Sequence, residues 1–244
     1  MLGDFVHGAR CLWRGFGLLN TRGVRGYAAL PILINVAVFS MLLWFAASHF
    51  GGWVDAMVPR LPDWMAWLES LFWLVFAGVA AVLVFFSFTA VANIIGSPFN
   101  GMLAEAVERL LTGTSTETSL RETLRQAPAM LLDEVRKLGY YARWALPLVV
   151  LFFIPLLNLL APLLWAMFGA WMLAVEYADY PLGNRGLRGA QIRAVLRNHR
   201  ASALGFGAMT LVATLVPGLN LLVMPAAVAG ATILTVESLR PDSP

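Results

Sequence analysis

Charge is scarce in this 244-residue sequence, because only 13% of its residues are Asp, Glu, Lys or Arg. Soluble domains carry roughly 25% charged and 45–50% apolar residues. Here apolar residues make up 59% of the chain, and the mean hydropathy is +0.73. The composition therefore excludes an ordinary soluble domain and predicts an all-α polytopic integral membrane protein. The net charge of +3 does not indicate a nucleic-acid partner, since the basic residues lie between apolar runs.

Patterns typical of enzymes and metal sites are also missing. A single cysteine, Cys11, excludes an intramolecular disulfide, and the three histidines are scattered along the chain. The sequence contains no phosphate-binding loop ending in Lys-Ser or Lys-Thr, no His-Glu-x-x-His pair and no Gly-x-Ser-x-Gly elbow. We therefore expect a protein that is not an enzyme and that needs no metal or cofactor.

Four long uncharged runs are present, and each exceeds the roughly 20 residues that a spanning helix needs. Basic residues cluster before the first run and on both sides of the third, whereas only Arg60 separates the first two. Since basic loops face the cytoplasm, the first two runs predict a pair of transmembrane helices. One membrane domain is expected, with two transmembrane helices (26–54 and 70–95), cytoplasmic or pore-proximal amphipathic helices (98–143) and two further apolar segments (144–175 and 201–236).

The third run cannot be one straight spanning helix, because both of its basic flanks belong on the cytoplasmic side. Prolines inside it predict two half-length helices that meet at 154–158 and return to the same side. The fourth run repeats the pattern, since Pro155-Leu-Leu-Asn158-Leu-Leu matches Pro217-Gly-Leu-Asn220-Leu-Leu. Proline-broken segments in matching positions indicate a transport site, so we predict two partially penetrating hairpins. The alternative is two kinked spanning helices that share a short apolar sequence.

The asparagines Asn158 and Asn220 are predicted at the hairpin tips, beside Pro155 and Pro217. Their amides can cap broken backbone or donate hydrogen bonds to a passing anion.

A proline-containing turn ends the second run. Ser97 is a suitable N-cap and Pro98 suits a first helical position, which predicts a helix end near Ile95 and a new helix from Pro98. Such a helix start offers free backbone N–H groups to an anion, or simply marks the exit from the membrane. The following helices are expected to break at Pro128.

Three charged residues follow this turn. Glu105 and Arg109 are four residues apart and can pair on one helix face, while Glu108 points elsewhere. Paired ionisable groups near a membrane mark ion pathways, although a solvated helix face would have the same pattern. Further along, Leu124, Leu131, Val135 and Leu138 predict a basic amphipathic helix that lies against the membrane or the bundle.

The segment Arg22-Gly23-Val24-Arg25 precedes the first run. Two guanidinium groups and a glycine suit a small oxyanion such as sulfate, because planar donors and an accessible backbone converge there. The same arginines also suit a cytoplasmic flank that only fixes topology.

The block SPFNGMLAE, from Ser97 to Glu105, resembles the SPFNGLLAE signature of the CysZ family of bacterial inner-membrane sulfate permeases. The resemblance runs nearly end to end and includes Leu30-Pro31, Asn35, Ile154-Pro155, Trp171-Met-Leu-Ala174, Tyr177, Asp179-Tyr-Pro181, Pro217-x-Leu-Asn-Leu221 and Met224-Pro225.

This resemblance implies sulfate uptake for cysteine biosynthesis through a channel-like, multi-pass protein of the inner membrane. It also implies two long transmembrane helices, two partly penetrating hairpins and a homo-oligomer built from dimers. Sulfite or other oxyanions remain possible substrates. A membrane scaffold that organises a partner without transport is the alternative function.

The resemblance also implies site residues. The family's sulfate-binding loop reads Gly, an aliphatic residue and two arginines; Gly23, Val24 and Arg25 match it, but Gly26 replaces the second arginine, and Arg22 is the candidate substitute. The expected pore or constriction comprises Ser97, Pro98, Phe99, Asn100, Glu105, Glu108 and Arg109.

Overall fold

The computed structural model describes residues 1–57, 66–114, 120–216 and 218–239, and these ranges are helical with no strand. A 3₁₀ turn at Leu157–Leu159 lies between the fourth and fifth of the eight α-helices in these ranges. The helices are α1 (Leu2–Leu18), α2 (Arg25–Met57), α3 (Ala66–Thr112), α4 (Leu120–Leu151), α5 (Ala161–Asn184), α6 (Ala190–Asn198), α7 (Arg200–Thr214) and α8 (Asn220–Glu237).

The chain forms two compact units. The first combines Met1–Ala28 with the chain from Pro98 onward, and the second is Ala29–Ser97. The second unit exposes large apolar side chains, among them Trp44 at 69% and Leu74 at 71%. Exposed apolar surface of this kind is typical of helices that face lipid.

Helix α5 is, within the described ranges, the one helix both long and apolar enough to cross a membrane by length and composition. Shorter apolar stretches occur at Val36–His49, Ser70–Val82 and Leu222–Glu237. The predicted spans 26–54 and 70–95 lie inside the long helices α2 and α3. An all-helical membrane fold agrees with these features, while the number of crossings stays a prediction.

The predicted helix end near Ile95 is wrong, because α3 continues through Ser97 and Pro98 to Thr112. Proline removes one backbone donor, but this local loss does not have to end a helix in an apolar segment. The N-cap role of Ser97 is therefore also wrong. The side chains of Ser97 and Pro98 lie outside the described residues.

The predicted break at Pro128 is wrong for the same reason, since α4 runs from Leu120 to Leu151 without interruption. Consequently 98–143 is not a separate set of helices. Its first part belongs to α3, and its last part continues into the predicted hairpin that begins at residue 144.

Helix α1 was not predicted, because its sequence lacks a long apolar run. It packs against α7 and α8 in the first unit. A Cβ atom added to Gly8 would collide with the Ser202 carbonyl of α7, and one added to Gly15 would collide with the Ala226 carbonyl of α8. Glycine thus allows the helix backbones to approach closely. Leu12, Phe206, Ile233 and Leu234 fill the core around this contact, each at most 1% exposed.

The two hairpin turns share their backbone geometry. The Asn158 N–H donates to the Ile154 carbonyl at 3.0 Å, and the Asn220 N–H donates to the Val216 carbonyl at 3.2 Å. At equivalent positions of the repeat, Leu156 has φ +71° and Gly218 has φ +82°. The two repeated segments are therefore alike in backbone structure as well as in sequence. Pro217 lies outside the described residues.

Candidate functional site

The last part of α3 buries one polar face in the first unit. Asn100 is fully buried, and among the described residues neither amide atom has a hydrogen-bond partner of regular geometry. The Tyr180 hydroxyl of α5 lies next to this amide and is its side-chain hydrogen-bonding neighbour, at irregular geometry. Leaving a buried amide unsatisfied costs about 1–3 kcal/mol, so this position offers hydrogen-bonding capacity to a ligand or to water.

One helical turn after Tyr180 on α5, the Asn184 side chain joins α5 to α3. Its Nδ2 atom donates to the Gly101 carbonyl at 2.9 Å. A helix carbonyl that accepts a side-chain donor fixes the two helices at one register, which holds the adjacent Asn100 in place.

Glu108 forms the main ion pair of this face. Arg185, just beyond α5, donates to Glu108 Oε1 from Nη2 at 2.7 Å and from Nε at 3.1 Å. The Glu108 side chain is only 11% exposed and that of Arg185 is 20% exposed. Sequence reasoning missed Arg185, because its partner is distant along the chain. Glu108, which was expected among the pore residues but on a different helix face from Glu105 and Arg109, is buried.

The remaining predicted residues of α3 lie nearer the surface. Phe99 and Glu105 are half-buried, and Arg109 is exposed. Pairing of Glu105 with Arg109 stays a prediction.

A second buried ion cluster joins α4 to α5. Lys137 is 7% exposed, and its Nζ atom lies 2.8 Å from Glu176 and 3.3 Å from Asp179. Val135 and Leu138 are 64% and 58% exposed. The apolar side of α4 therefore faces out of the unit and the lysine faces in. Of the two predicted orientations, packing of this apolar side on the bundle is wrong, and the side chains of Leu124 and Leu131 lie outside the described residues.

The loop between α1 and α2 contains the predicted oxyanion residues. Val24 is buried, whereas Arg22 and Arg25 are exposed and form no ion pair within the described parts of the chain. Gly23 has φ +92°, and the Thr21 carbonyl accepts the N–H groups of both Val24 and Arg25 at 3.1 Å. The Val24 side chain thus fastens the loop, and the two guanidinium groups extend from it.

The predicted tip residues Pro155, Asn158 and Asn220 are exposed in the turns. Phe153 and Leu156 beside them are 80% and 81% exposed. No hydrogen bond or ion pair within the described residues joins these side chains to the α3 face, and the first tip is predominantly apolar.

One further cluster was missed by sequence reasoning. Ligand-type atoms of His7, Cys11 and Glu237 lie within 4.8 Å of one another. However, Arg14 holds both Glu237 oxygens at 2.7 Å, and this hydrogen bond keeps the pKa of Glu237 below its usual range. Burial raises the pKa of Cys11 to about 12. The cluster is thus a neutral thiol beside a satisfied ion pair.

The chain is similar to known proteins over nearly its whole length. A family model described as Sulfate transporter CysZ/Etoposide-induced protein 2.4 matches residues 11–225. A Pseudomonas paraeruginosa protein named Sulfate transporter CysZ is 45% identical over 95% of both chains. Proteins of the same name from Pseudomonas aeruginosa and Pectobacterium atrosepticum are 44% and 38% identical, covering 95% and 96% of this chain and 95% and 86% of their own. The chain belongs to the family of sulfate transporter CysZ.

Proposed function

We propose that this protein transports sulfate across the bacterial inner membrane into the cytoplasm, where the sulfate supports cysteine biosynthesis. The observation that carries the proposal is the 45% identity over 95% of the chain to a protein named Sulfate transporter CysZ. Transport moves an ion without breaking a bond, so no catalytic residue, metal or cofactor is required.

Capture of sulfate is assigned to the loop before α2. Arg22 and Arg25 are exposed and lack carboxylate partners within the described ranges, so both can face a dianion. Guanidinium groups bind tetrahedral oxyanions through paired, charge-assisted hydrogen bonds. Gly23, with its positive φ, leaves the backbone accessible between them. In this arrangement Arg22 replaces the arginine that the family has at Gly26.

Passage is assigned to the end of α3, the segment with Asn100, Glu105, Glu108 and Arg109. The buried amide of Asn100, beside the Tyr180 hydroxyl, has hydrogen-bonding capacity for an oxyanion. Glu108 neutralises Arg185, and this limits how tightly a passing anion is held. Conduction requires binding that is weak enough for release, which explains carboxylates along an anion path.

The membrane arrangement in this proposal has two transmembrane helices and two partly penetrating hairpins. The exposed apolar side chains of the first tip, including Phe153 and Leu156, support its insertion among lipid tails. The bilayer is therefore a partner, and the working form is a homo-oligomer built from dimers.

The test is uptake of radiolabelled sulfate into liposomes that contain the purified protein. We expect saturable uptake down the sulfate gradient without ATP, and competition by sulfite if the site accepts other oxyanions. Arg25→Gln is expected to lower uptake roughly tenfold at low sulfate, because one charged hydrogen-bonding group is lost.

The matched control is Arg10→Gln, which removes another exposed arginine charge, from α1. If Arg25→Gln and Arg10→Gln behave like the wild type, the loop only sets topology. If folded, inserted protein shows no uptake at all, transport is overturned in favour of a scaffold that organises a partner.

A further inference from the structure

A basic pocket outside the assigned sulfate path lies between α4 and α6. Its volume is about 290 Å³. The lining residues are Tyr140, Arg143, Trp144, Ala190, Arg193 and Arg197. Three of these six are arginines and none is acidic. We call this site the α4–α6 pocket.

Helix α6 directs two of the arginines to one side. Ile192 and Leu196 are buried at 1% and 0% exposure, which fixes the apolar face of this short helix. Arg193 and Arg197 follow them by one position each, so they share the neighbouring face. Like charges four residues apart on a helix repel each other. An anion between them and Arg143 would convert this repulsion into attraction.

No carboxylate in the described part of the chain pairs with Arg143, Arg193 or Arg197. The nearby acidic groups of α5 are already engaged, because Lys137 binds both Glu176 and Asp179. The positive charge of the α4–α6 pocket is therefore not balanced by a carboxylate of the described residues.

The pocket is also held in shape before any ligand arrives. Trp171 Nε1 donates to the Tyr140 hydroxyl at 3.2 Å, which fixes the Tyr140 ring from α5. The Arg193 Cζ atom lies 4.5 Å from the centroid of that ring. Stacking orients a guanidinium and leaves its edge free to donate. Ala190 adds the N-terminus of α6, which has no side-chain cap and carries partial positive charge.

We propose that the α4–α6 pocket binds a tetrahedral oxyanion group, distinct from the sulfate captured by Arg22 and Arg25. Planar guanidinium donors and a helix N-terminus are the chemistry that recognises sulfate or phosphate. The group is supplied either by a free ion or by the phosphodiester of an anionic lipid. Trp144, 53% exposed at the start of an apolar run, is typical of the headgroup level of a bilayer. Binding of a lipid phosphodiester rests on the proposed membrane function, whereas binding of a free ion does not.

The experiment uses the full-length protein in a neutral detergent. Binding is followed by native mass spectrometry with short-chain phosphatidylglycerol, with phosphatidylcholine as the uncharged comparison, and by calorimetry with sodium sulfate and sodium phosphate. All titrations are done in the Arg25→Gln background, so that the contribution of the proposed capture loop is reduced. Sulfate uptake is measured separately, and its failure would therefore leave this test intact.

We expect at least one anionic probe to bind, and we expect Arg193→Gln and Arg197→Gln each to weaken it roughly tenfold. Arg197 is exposed, so its variant reports on the pocket even if Arg193→Gln disturbs the stacking on Tyr140. Arg10→Gln is the charge-matched control and should not change binding. Phosphatidylglycerol binding identifies a lipid site, and sulfate or phosphate binding identifies a free-ion site. Absence of binding by every anionic probe, or equal weakening by Arg10→Gln, would overturn the proposal.

Discussion

The two hairpins of the first unit share one turn motif but are held in different ways. Hairpin α4–α5 has buried ion pairs, with Lys137 bound to Glu176 and Asp179 and Arg185 bound to Glu108, in addition to the close contact of α5 with Gly207 of α7. Hairpin α7–α8 is held by close approach of backbones to α1. There, Gly205 contacts the Phe5 carbonyl, and similar glycine contacts join α1 to α8.

This difference determines which side chains each hairpin leaves outside. Ion pairs need only a few positions, so Val135 on α4 and Phe153 at the tip remain exposed. Backbone contact needs a continuous row of small residues, and it buries α8 from Ala226 to Leu234. The α7–α8 hairpin is thus the core of the unit. The α4–α5 hairpin presents apolar surface, and with it the α4–α6 pocket, to its surroundings.

The largest expected effect comes from breaking the polar attachment of α5. Glu108→Ala leaves Arg185 as an uncompensated, largely buried charge, which should lower the free energy of unfolding by about 3–5 kcal/mol. Thermal and denaturant unfolding of the purified protein in detergent would measure this. Removing both charges with Glu108→Ala and Arg185→Met should restore much of the loss. A single variant within about 1 kcal/mol of the wild type would contradict a buried pair.

The next effect tests the glycine attachment of α8. An added Cβ at Gly15 would collide with the Ala226 carbonyl and lie 2.7 Å from the Gly230 nitrogen. Gly15→Ala should therefore cost about 1–3 kcal/mol of unfolding free energy. The same helix supplies the control, since nothing lies within 4 Å of a Cβ at Gly17. Gly17→Ala should stabilise by up to about 1 kcal/mol, and equal effects of the two would refute close backbone packing.

What could be predicted from the sequence was local. The two turns were found because the prolines, asparagines and apolar residues that define them are adjacent in the chain. In the second turn, Gly218 also marks the position with positive φ. The breaks at Pro98 and Pro128 were wrong, because a proline signal is local and the continuing helix overrides it.

The long-range contacts were not predictable by such reasoning. Nothing near Glu108 in the sequence identifies Arg185 as its partner, since folding alone brings α3 and the end of α5 together. Helix α1 was missed because it is held by glycine contacts and not by a strong apolar pattern. The orientation of Lys137 was missed as well, because the carboxylates that draw it inward lie on another helix.

A smaller effect separates the two turns themselves. Leu156 adopts φ +71°, which costs an L-residue about 1–2 kcal/mol, while Gly218 adopts a similar φ without this cost. Leu156→Gly should therefore raise the free energy of unfolding by about 0.5–1 kcal/mol, which allows for the larger conformational entropy that glycine loses on folding. Leu156→Ala keeps the Cβ atom and should show no such gain. Gly218→Ala should lower the free energy of unfolding by about 1 kcal/mol. Stabilisation by Leu156→Gly together with destabilisation by Gly218→Ala, measured by thermal unfolding, would establish that the two turns have equivalent backbone geometry.

The smallest effect concerns Cys11, which lies in the glycine-lined contact between α1 and α8. Burial raises the pKa of this thiol to about 12, from an ordinary value near 9. Because the folded pKa is the higher one, the contribution of Cys11 to stability is constant below about pH 9 and is lost as pH rises from there towards 12. At pH 7.5 the buried thiol should resist maleimide until the protein is denatured. By contrast, Asn158→Cys and Asn220→Cys should label in detergent, since both tips are exposed. Rapid labelling of the wild-type protein at pH 7.5 would mean that the α1–α8 contact opens. That result would contradict the view that hairpin α7–α8 is closely packed on α1 while hairpin α4–α5 faces outward.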